Sequence, residues 1–346
     1  MKRIVCLLFL LCPGVTAWTQ AGGERTFAFM ELNPAPRVAA MGGVVNAICD
    51  GDVSLTYVNP SLLNGQMHRT LALSYVDYLA DVRYGYAAFG YHVPSVGTFS
   101  SGIHYINYGS FIEADENGTI TGSFSAAEYA VHFSYGRPVT LFDITLQAGI
   151  SLKPVFSHLE TYTSFGLAID AGLTYCNEQE GLTAAFVVRN AGLQCKTYAG
   201  HRESLPIDVQ LGMTKSLDKA PILFSVVLQH LETTHLRTRK QFLNENTGMM
   251  EWEHESRLER FGQEMWRHVV MGVEVMPIDG FFFRAGYNPL RREELQVKQM
   301  KSTVGFSWGA GLRIRPFLLE YANAKYHLAS STHQLSILWH IGTKTQ

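Results

Sequence analysis

The residues that could carry chemistry are scattered, and their spacing argues against a catalytic centre. Asp50 and Asp52 flank Gly51 and invite a calcium reading, but the remaining oxygen ligands and a terminal glutamate at loop spacing are missing. A solvated Asx turn fits better. Glu128 and His132 are candidates for general acid–base work, yet four residues along a strand put two side chains about 13 Å apart, too far for one proton transfer. There is no nucleophile elbow, zinc spacing, phosphate loop, dinucleotide fingerprint or His-x-x-His pair. The expectation is a protein that is not an enzyme and uses no cofactor or metal.

The elements that must hold these residues read as strands. Ile144, Leu146, Ala148, Ile150 and Leu152 fall on one parity, and Thr145, Gln147, Gly149, Ser151 and Lys153 on the other. The pattern returns in Phe165, Leu167, Ile169, Ala171, Leu173 and Tyr175, which alternate with Gly166, Ala168, Asp170, Gly172 and Thr174. Successive strand side chains point to opposite faces, so each segment has one apolar face and one polar or small face. Segments of about 10 to 12 residues, roughly 35 Å of chain, suit a tilted crossing of a membrane. The inward parity carries Glu128, His132, Gln147, Lys153, Asp170, Arg189, Asp208, Glu274, Arg284, Arg313 and His340. Both signs are present, which predicts a salt-bridged lumen rather than a charge-selective pore.

Strand-length segments recur near 68–77, 83–93, 97–107, 126–136, 141–153, 164–176, 181–190, 206–215, 221–230, 266–276, 280–287, 302–314, 316–324 and 332–341. Every second connection is short, as at 94–96, Gly136-Arg137-Pro138, Asn177–Glu180, 216–220, 276–280 and Arg315-Pro316. The others, 108–125, 154–163, 191–205, 231–265 and 288–301, are long; only 78–82 departs from the rule. Loops sorted by parity are a signature of outer-membrane barrels, with short turns in the periplasm and long loops outside. The expected fold is all-β, a transmembrane antiparallel β-barrel of about 14 strands over residues 66–346, with both chain termini periplasmic. A net charge of −2 gives no electrostatic case for nucleic acid.

Lys2 and Arg3 precede an apolar run from Ile4 to Cys12, and Val15 and Ala17 suit signal-peptidase cleavage, so residues 1–17 read as a signal peptide. Residues 18–65 are broken by Pro34, Pro36, Gly42, Gly43, Gly51 and Pro60, with room for one short helix near Arg37–Met41. A compact N-terminal plug in the barrel mouth is the expected use of this segment. Its motif is Met41-Gly42-Gly43, Asp50 and Asn59-Pro60, where paired glycines permit tight backbone and Asn-Pro initiates a turn. Cleavage would leave Cys49, Cys176 and Cys195, an odd count that allows at most one disulfide. Cys176 is expected to face Gly181 rather than Cys195, and free, inert cysteines are the preferred reading.

The exterior connection 231–265 gathers charges of both signs around large apolar residues. Arg237, Arg239, Lys240, Phe242, Met249, Met250, Trp252 and Arg257 are the candidates for partner contact, because mixed charge around a few apolar anchors suits docking. Arg291, Arg292, Lys298 and Lys301 form a neighbouring basic group suited to lipopolysaccharide phosphates.

Met41-Gly42-Gly43 through Asp50 to Asn59-Pro60-Ser61-Leu62, Phe283-Arg284-Ala285-Gly286-Tyr287-Asn288, and Gly309-Ala310-Gly311-Leu312 leading to Glu320-Tyr321-Ala322 resemble the PorV/PorQ family of Bacteroidetes outer-membrane proteins, relatives of the FadL transporters. Compact length and a single plug look more like the PorQ branch. The sequence departs from the family in Ser61, where Ala commonly follows Asn-Pro, and in Glu320, where Asp commonly precedes Tyr-Ala. The resemblance implies a non-enzymatic component of the type IX secretion system. Such a protein would anchor a PorZ-like surface protein, with PorU-like and PorV-like partners, so that cargo is processed and joined to lipopolysaccharide. The alternative is a FadL-like transporter of hydrophobic compounds, which would need an apolar pocket and a lateral opening.

Overall fold

The computed structural model describes residues 25–141, 143–217, 220–233, 236, 241–243, 250–252, 257–295, 303–326 and 331–342. The signal-peptide reading therefore lies outside the described residues. Fourteen strands close into an antiparallel barrel: β1 (Thr70–Asp77), β2 (Arg83–Val93), β3 (Gly97–Ala114), β4 (Ile120–Leu141), β5 (Ile144–Leu159), β6 (Tyr162–Asn177), β7 (Leu182–Lys196), β8 (Asp208–Ser216), β9 (Ile222–Leu228), β12 (Val269–Ile278), β13 (Phe281–Tyr287), β14 (Phe306–Ile314), β15 (Phe317–Ala324) and β16 (Thr332–His340). The short strands β10 (Gln241–Leu243) and β11 (Met250–Trp252) pair with each other outside it. Closure comes from β1, which pairs with β2 on one side and β16 on the other. The ring thereby leaves no open sheet edge in the membrane.

Parity sets which side chains meet lipid. In β5, Ile150 is 52% and Leu152 43% exposed, whereas Ser151 is 1% and Lys153 0% exposed. Phe306, Trp308 and Leu312 on β14 and Leu335, Ile337 and Trp339 on β16 continue the outward apolar belt.

Five connections differ from expectation. The segments 108–125 and 154–163, and the first part of 191–205, continue as paired strand, so β3–β4 and β5–β6 rise as tall hairpins that turn at 115–119 and 160–161. Gly136-Arg137-Pro138 is not a turn but lies within β4, where Pro138 pairs with Gln147. The β3 ladder has ended at Gly136, so β4 is locally an edge, where a strand tolerates proline. The 231–265 segment is likewise not all loop; it contains β10, β11 and the start of α2 (Arg257–His268).

Residues 25–67 pack against the inward-facing side chains. They form helix α1 (Pro36–Ala40), where a short helix was expected, and four 3-10 turns at Ala28–Glu31, Val53–Tyr57, Pro60–Leu62 and Gly65–Met67. Pro36 at the first helical position starts α1. The side chains of Asp52, Asn59 and Asn64 each accept a backbone N–H two residues on and so cap the later turns. Val38, Met41, Val53, Leu55, Leu62 and Leu63 form an apolar core with Phe282, Leu318 and Leu338 of the wall. A second cluster joins Phe27, Phe29 and Met30 to Val76, Tyr84, Ile106 and Val155. Thus the inner face of the barrel is apolar at selected points where the N-terminal segment covers it.

Candidate functional site

The most chemically specific region is the contact between the N-terminal segment and the wall. Arg37 on α1 donates from Nε to Glu274 Oε2 at 3.0 Å and from Nη2 to Glu274 Oε1 at 2.9 Å, a bidentate fork. Its Nη1 reaches Asp50, with Asp52 3.8 Å away. Glu274 in turn accepts from Arg284 Nε at 2.5 Å, and Arg284 Nη1 donates to Glu320 Oε1 at 2.7 Å. Ser336 Oγ donates to the other oxygen of Glu320 at 3.1 Å. A charge relay from Asp50 to Ser336 thereby ties the segment to β12, β13, β15 and β16. Asp50 and Asp52 face a guanidinium, and Asp52 also accepts from Ser54 N–H at 2.9 Å; the Asx geometry is as expected from sequence, but Asp52 is buried rather than solvated.

Asn59 makes the second tie. Its Nδ2 donates to the Asn46 carbonyl at 2.7 Å and to Thr174 Oγ1 at 3.0 Å, while its Oδ1 accepts from Ser61 N at 2.9 Å and Ser61 Oγ at 2.6 Å. Ser61 Oγ lies 2.6 Å from Thr174 Oγ1, so the Ser61 hydroxyl adds a bond to β6. Pro60 sits over Gly149, where an added Cβ would stand 2.2 Å from the Pro60 carbonyl carbon. Only glycine lets the backbones approach this closely. Met41-Gly42-Gly43 makes the third tie: Gly42 N–H donates to Ser307 Oγ at 3.0 Å, Ser307 Oγ donates to the Ala40 carbonyl at 2.9 Å, and Asn288 Nδ2 donates to the Gly42 carbonyl at 3.3 Å.

The fourth tie is covalent. Cys49 and Cys176 form a disulfide across 127 residues of sequence, and Cys195 is free and exposed. This corrects the reading of free cysteines. Cys176 also stands opposite Thr183 rather than Gly181, because the hairpin turns one residue pair later. Sequence reasoning weighed Cys195 as the partner and overlooked Cys49, although Cys176 shares the inward parity of Thr174 and faces the segment that carries Cys49.

Glu128 and His132 bind separate partners: Tyr108 O–H donates to Glu128 Oε2 at 2.5 Å, and Tyr86 O–H lies 3.0 Å from His132 Nε2. Lys153 Nζ lies 2.5 Å from Asp170 Oδ2 and 4.5 Å from the centre of the Tyr57 ring. His132, Lys153 and Asp170 form a buried polar layer next to the second apolar cluster, one inward position from Ala130, Val155 and Ala168 on their strands. A cavity of about 590 Å³ opens at the short-turn rim, lined by Arg37, Asp52, Phe282, Arg284, Arg313 and Leu338 among others.

Of the exterior candidates, Arg237, Arg239, Lys240 and Met249 lie outside the described residues. Phe242 falls in β10 opposite Glu251, Met250 opposite Leu243 and Trp252 opposite Gln241, and Arg257 begins α2. Lys298 and Lys301 are also outside the described residues. Arg291 lies over the Tyr326 ring at 4.1 Å and Arg292 donates to the Val304 carbonyl at 3.2 Å, so both have partners within the protein.

His230 was not singled out, although it and Glu232 share a parity next to β9. The His230 N–H donates to Asp208 Oδ1 at 2.8 Å, the Val209 N–H donates to Glu232 Oε2 at 2.9 Å, and the ring Nδ1 is 3.4 Å from Glu232 Oε1. Burial opposes charging the ring, but Glu232, Asp208 and Glu31 outweigh it and raise its pKa to about 9. A raised histidine pKa stabilises fully below the unfolded value of about 6.5 and loses that contribution as pH climbs through about 9. The 229–233 segment is therefore expected to become more sensitive to protease as pH rises across this window, and His230→Gln to remove the dependence. A flat profile in the wild-type chain would contradict a stabilising contact between His230 and Glu232.

No family model and no curated protein matches the sequence. Among solved structures, the Pseudomonas putida toluene transporter TodX is similar with a TM-score of 0.50 and 12% identity, over 88% of this chain and 96% of that one. The CymD monoaromatic hydrocarbon channel is similar at 0.48 and 13%, over 90% and 97%. A Pseudomonas aeruginosa FadL homologue is similar at 0.47 and 10%, over 88% and 98%. The TodX likeness carries the comparison of folds: this chain is a closed 14-stranded antiparallel barrel, similar in fold to TodX.

Proposed function

We propose that the protein is an outer-membrane barrel that passes small hydrophobic compounds across the envelope; TodX, to which its fold is similar, is named a toluene transporter. The observation that carries this reading is the near end-to-end likeness to TodX of a closed barrel with the same general plan. Two apolar clusters line the contact between the N-terminal segment and the wall, and a shift of that segment would offer them to apolar cargo. Residues 25–67 act as a plug, and passage requires part of that segment to shift while the Cys49–Cys176 bond holds its short-turn end. The test is entry of toluene into vesicles containing the purified full chain. Entry faster than in empty vesicles supports the reading, and an equal rate opposes it.

A second reading is favoured by the number of ties on the segment. Three hydrogen-bonded anchors and one disulfide suit a permanently sealed, membrane-fixed platform for a surface complex of the type IX kind. Its partners would be a PorZ-like protein with PorU-like and PorV-like proteins and lipopolysaccharide, engaged through the exterior 231–265 region. Co-purification of a PorZ-like protein from the native membrane, with no transport of toluene, would put this reading first.

A further inference from the structure

Helix α2 is polar over most of its length, yet Phe261, Met265 and Trp266 are 64%, 40% and 44% exposed. Spacing of four and five residues puts the three on one side of the helix. The helix is held down at its C-terminal end, by Arg267 on the opposite side and by His268. Buried Arg267 donates from Nε to Glu293 Oε2 at 2.6 Å, and its Nη2 lies 2.5 Å from the same oxygen of helix α3 (Pro289–Leu295), while His268 Nδ1 lies 2.7 Å from the Gln229 carbonyl. The apolar side therefore cannot turn inward without breaking these bonds.

That side continues the lipid-facing belt of the barrel. The Trp266 ring is 6.5 Å from Tyr287, which is 4.7 Å from Phe306 on the outward face of β14. Below the helix the outer wall carries an apolar groove of about 280 Å³ between Phe224, Met271, Tyr287 and Phe306, floored by Val273 and Ala285. Between these outward residues Gly272 and Gly286 pair with their Cβ positions turned inward, where the backbone of Met41-Gly42 lies: an added Cβ at Gly286 would stand 2.0 Å from Gly42 N. The N-terminal segment thus packs against the inner side of the wall that carries the groove.

We propose that α2 and this groove form a seat for one acyl chain of an outer-leaflet lipid, with Trp266 at the level of the headgroup and the chain lying along Ala285 and Val273. An amphipathic helix beside an aromatic belt is the arrangement that settles at a membrane interface. Continuity of the apolar face with the lipid-facing wall identifies the occupant as lipid rather than a soluble partner.

The test uses the full chain in phosphatidylcholine vesicles with and without bromine on the acyl chains. The emission of Trp266, taken as the difference between wild type and Trp266→Phe, is expected to lose most of its intensity in brominated vesicles. Separately, mass spectrometry of the detergent-extracted protein is expected to find a retained lipid in the wild type and to lose it in Ala285→Trp, which fills the groove from its lipid-facing side without touching the lumen. Trp266 emission that is quenched by aqueous iodide but not by brominated lipid would overturn the proposal. So would equal lipid retention in wild type and Ala285→Trp.

Discussion

Replacing Arg37 with methionine is expected to lower the stability of the folded barrel by about 3–5 kcal/mol, the cost of removing one member of a buried ionic network. Arg37 is 5% exposed and is the cation that, among the described residues of the N-terminal segment, contacts Glu274, Asp50 and Asp52 together. Without it Glu274 keeps Arg284, but Arg284 must then serve both Glu274 and Glu320, leaving the network with a surplus of buried negative charge. Arg37→Lys is expected to recover only part of the loss, because a point-like ammonium cannot reproduce the bidentate fork. Removing a buried charge on the other side, as in Arg37→Met with Glu274→Gln, should be less damaging than the sum of the two single changes. Urea unfolding in lipid vesicles reads these differences. A loss below about 1 kcal/mol for Arg37→Met, the range of exposed ion pairs, would mean that the network does not hold the segment.

The disulfide carries the second large effect. Cys49→Ser with Cys176→Ser opens a loop of 127 residues, for which the chain-entropy estimate is about 5 kcal/mol. The expected result is a lower unfolding midpoint for the serine variant and a matching drop for the wild type under reducing conditions. Thiol labelling of the folded chain should modify Cys195 and spare Cys49 and Cys176. Labelling of Cys49 or Cys176 in the oxidised protein would remove the tie. If the serine variant also passed toluene faster than the wild type, the bond would be acting as a restraint on the moving part of the segment.

Period-two alternation made the barrel legible, because a wall with lipid outside leaves little freedom in which parity is apolar. Lys153, Asp170 and Arg189 are buried as their parity implied, and the fourteen strands fall close to the segments read from sequence. The heights of the hairpins were less legible, since Ser110, Ile112 and Ser125 continue as strand through residues that also suit a loop. Long-range pairing was the least legible. Nothing local links Arg37 with Glu274 or Cys49 with Cys176; what joins them is the register of a segment folded inside the ring. The role of Ser61 was hidden for the same reason, because its hydroxyl partner Thr174 lies 113 residues away.

The measurement that bears most directly on function is the entry of toluene into vesicles containing the oxidised full chain, run beside a hydrophilic sugar and beside empty vesicles. The conduit reading predicts faster entry of toluene and no change for the sugar. Toluene entry equal to that of empty vesicles, from protein shown by urea unfolding to be folded, would contradict it and leave the sealed-platform reading in its place.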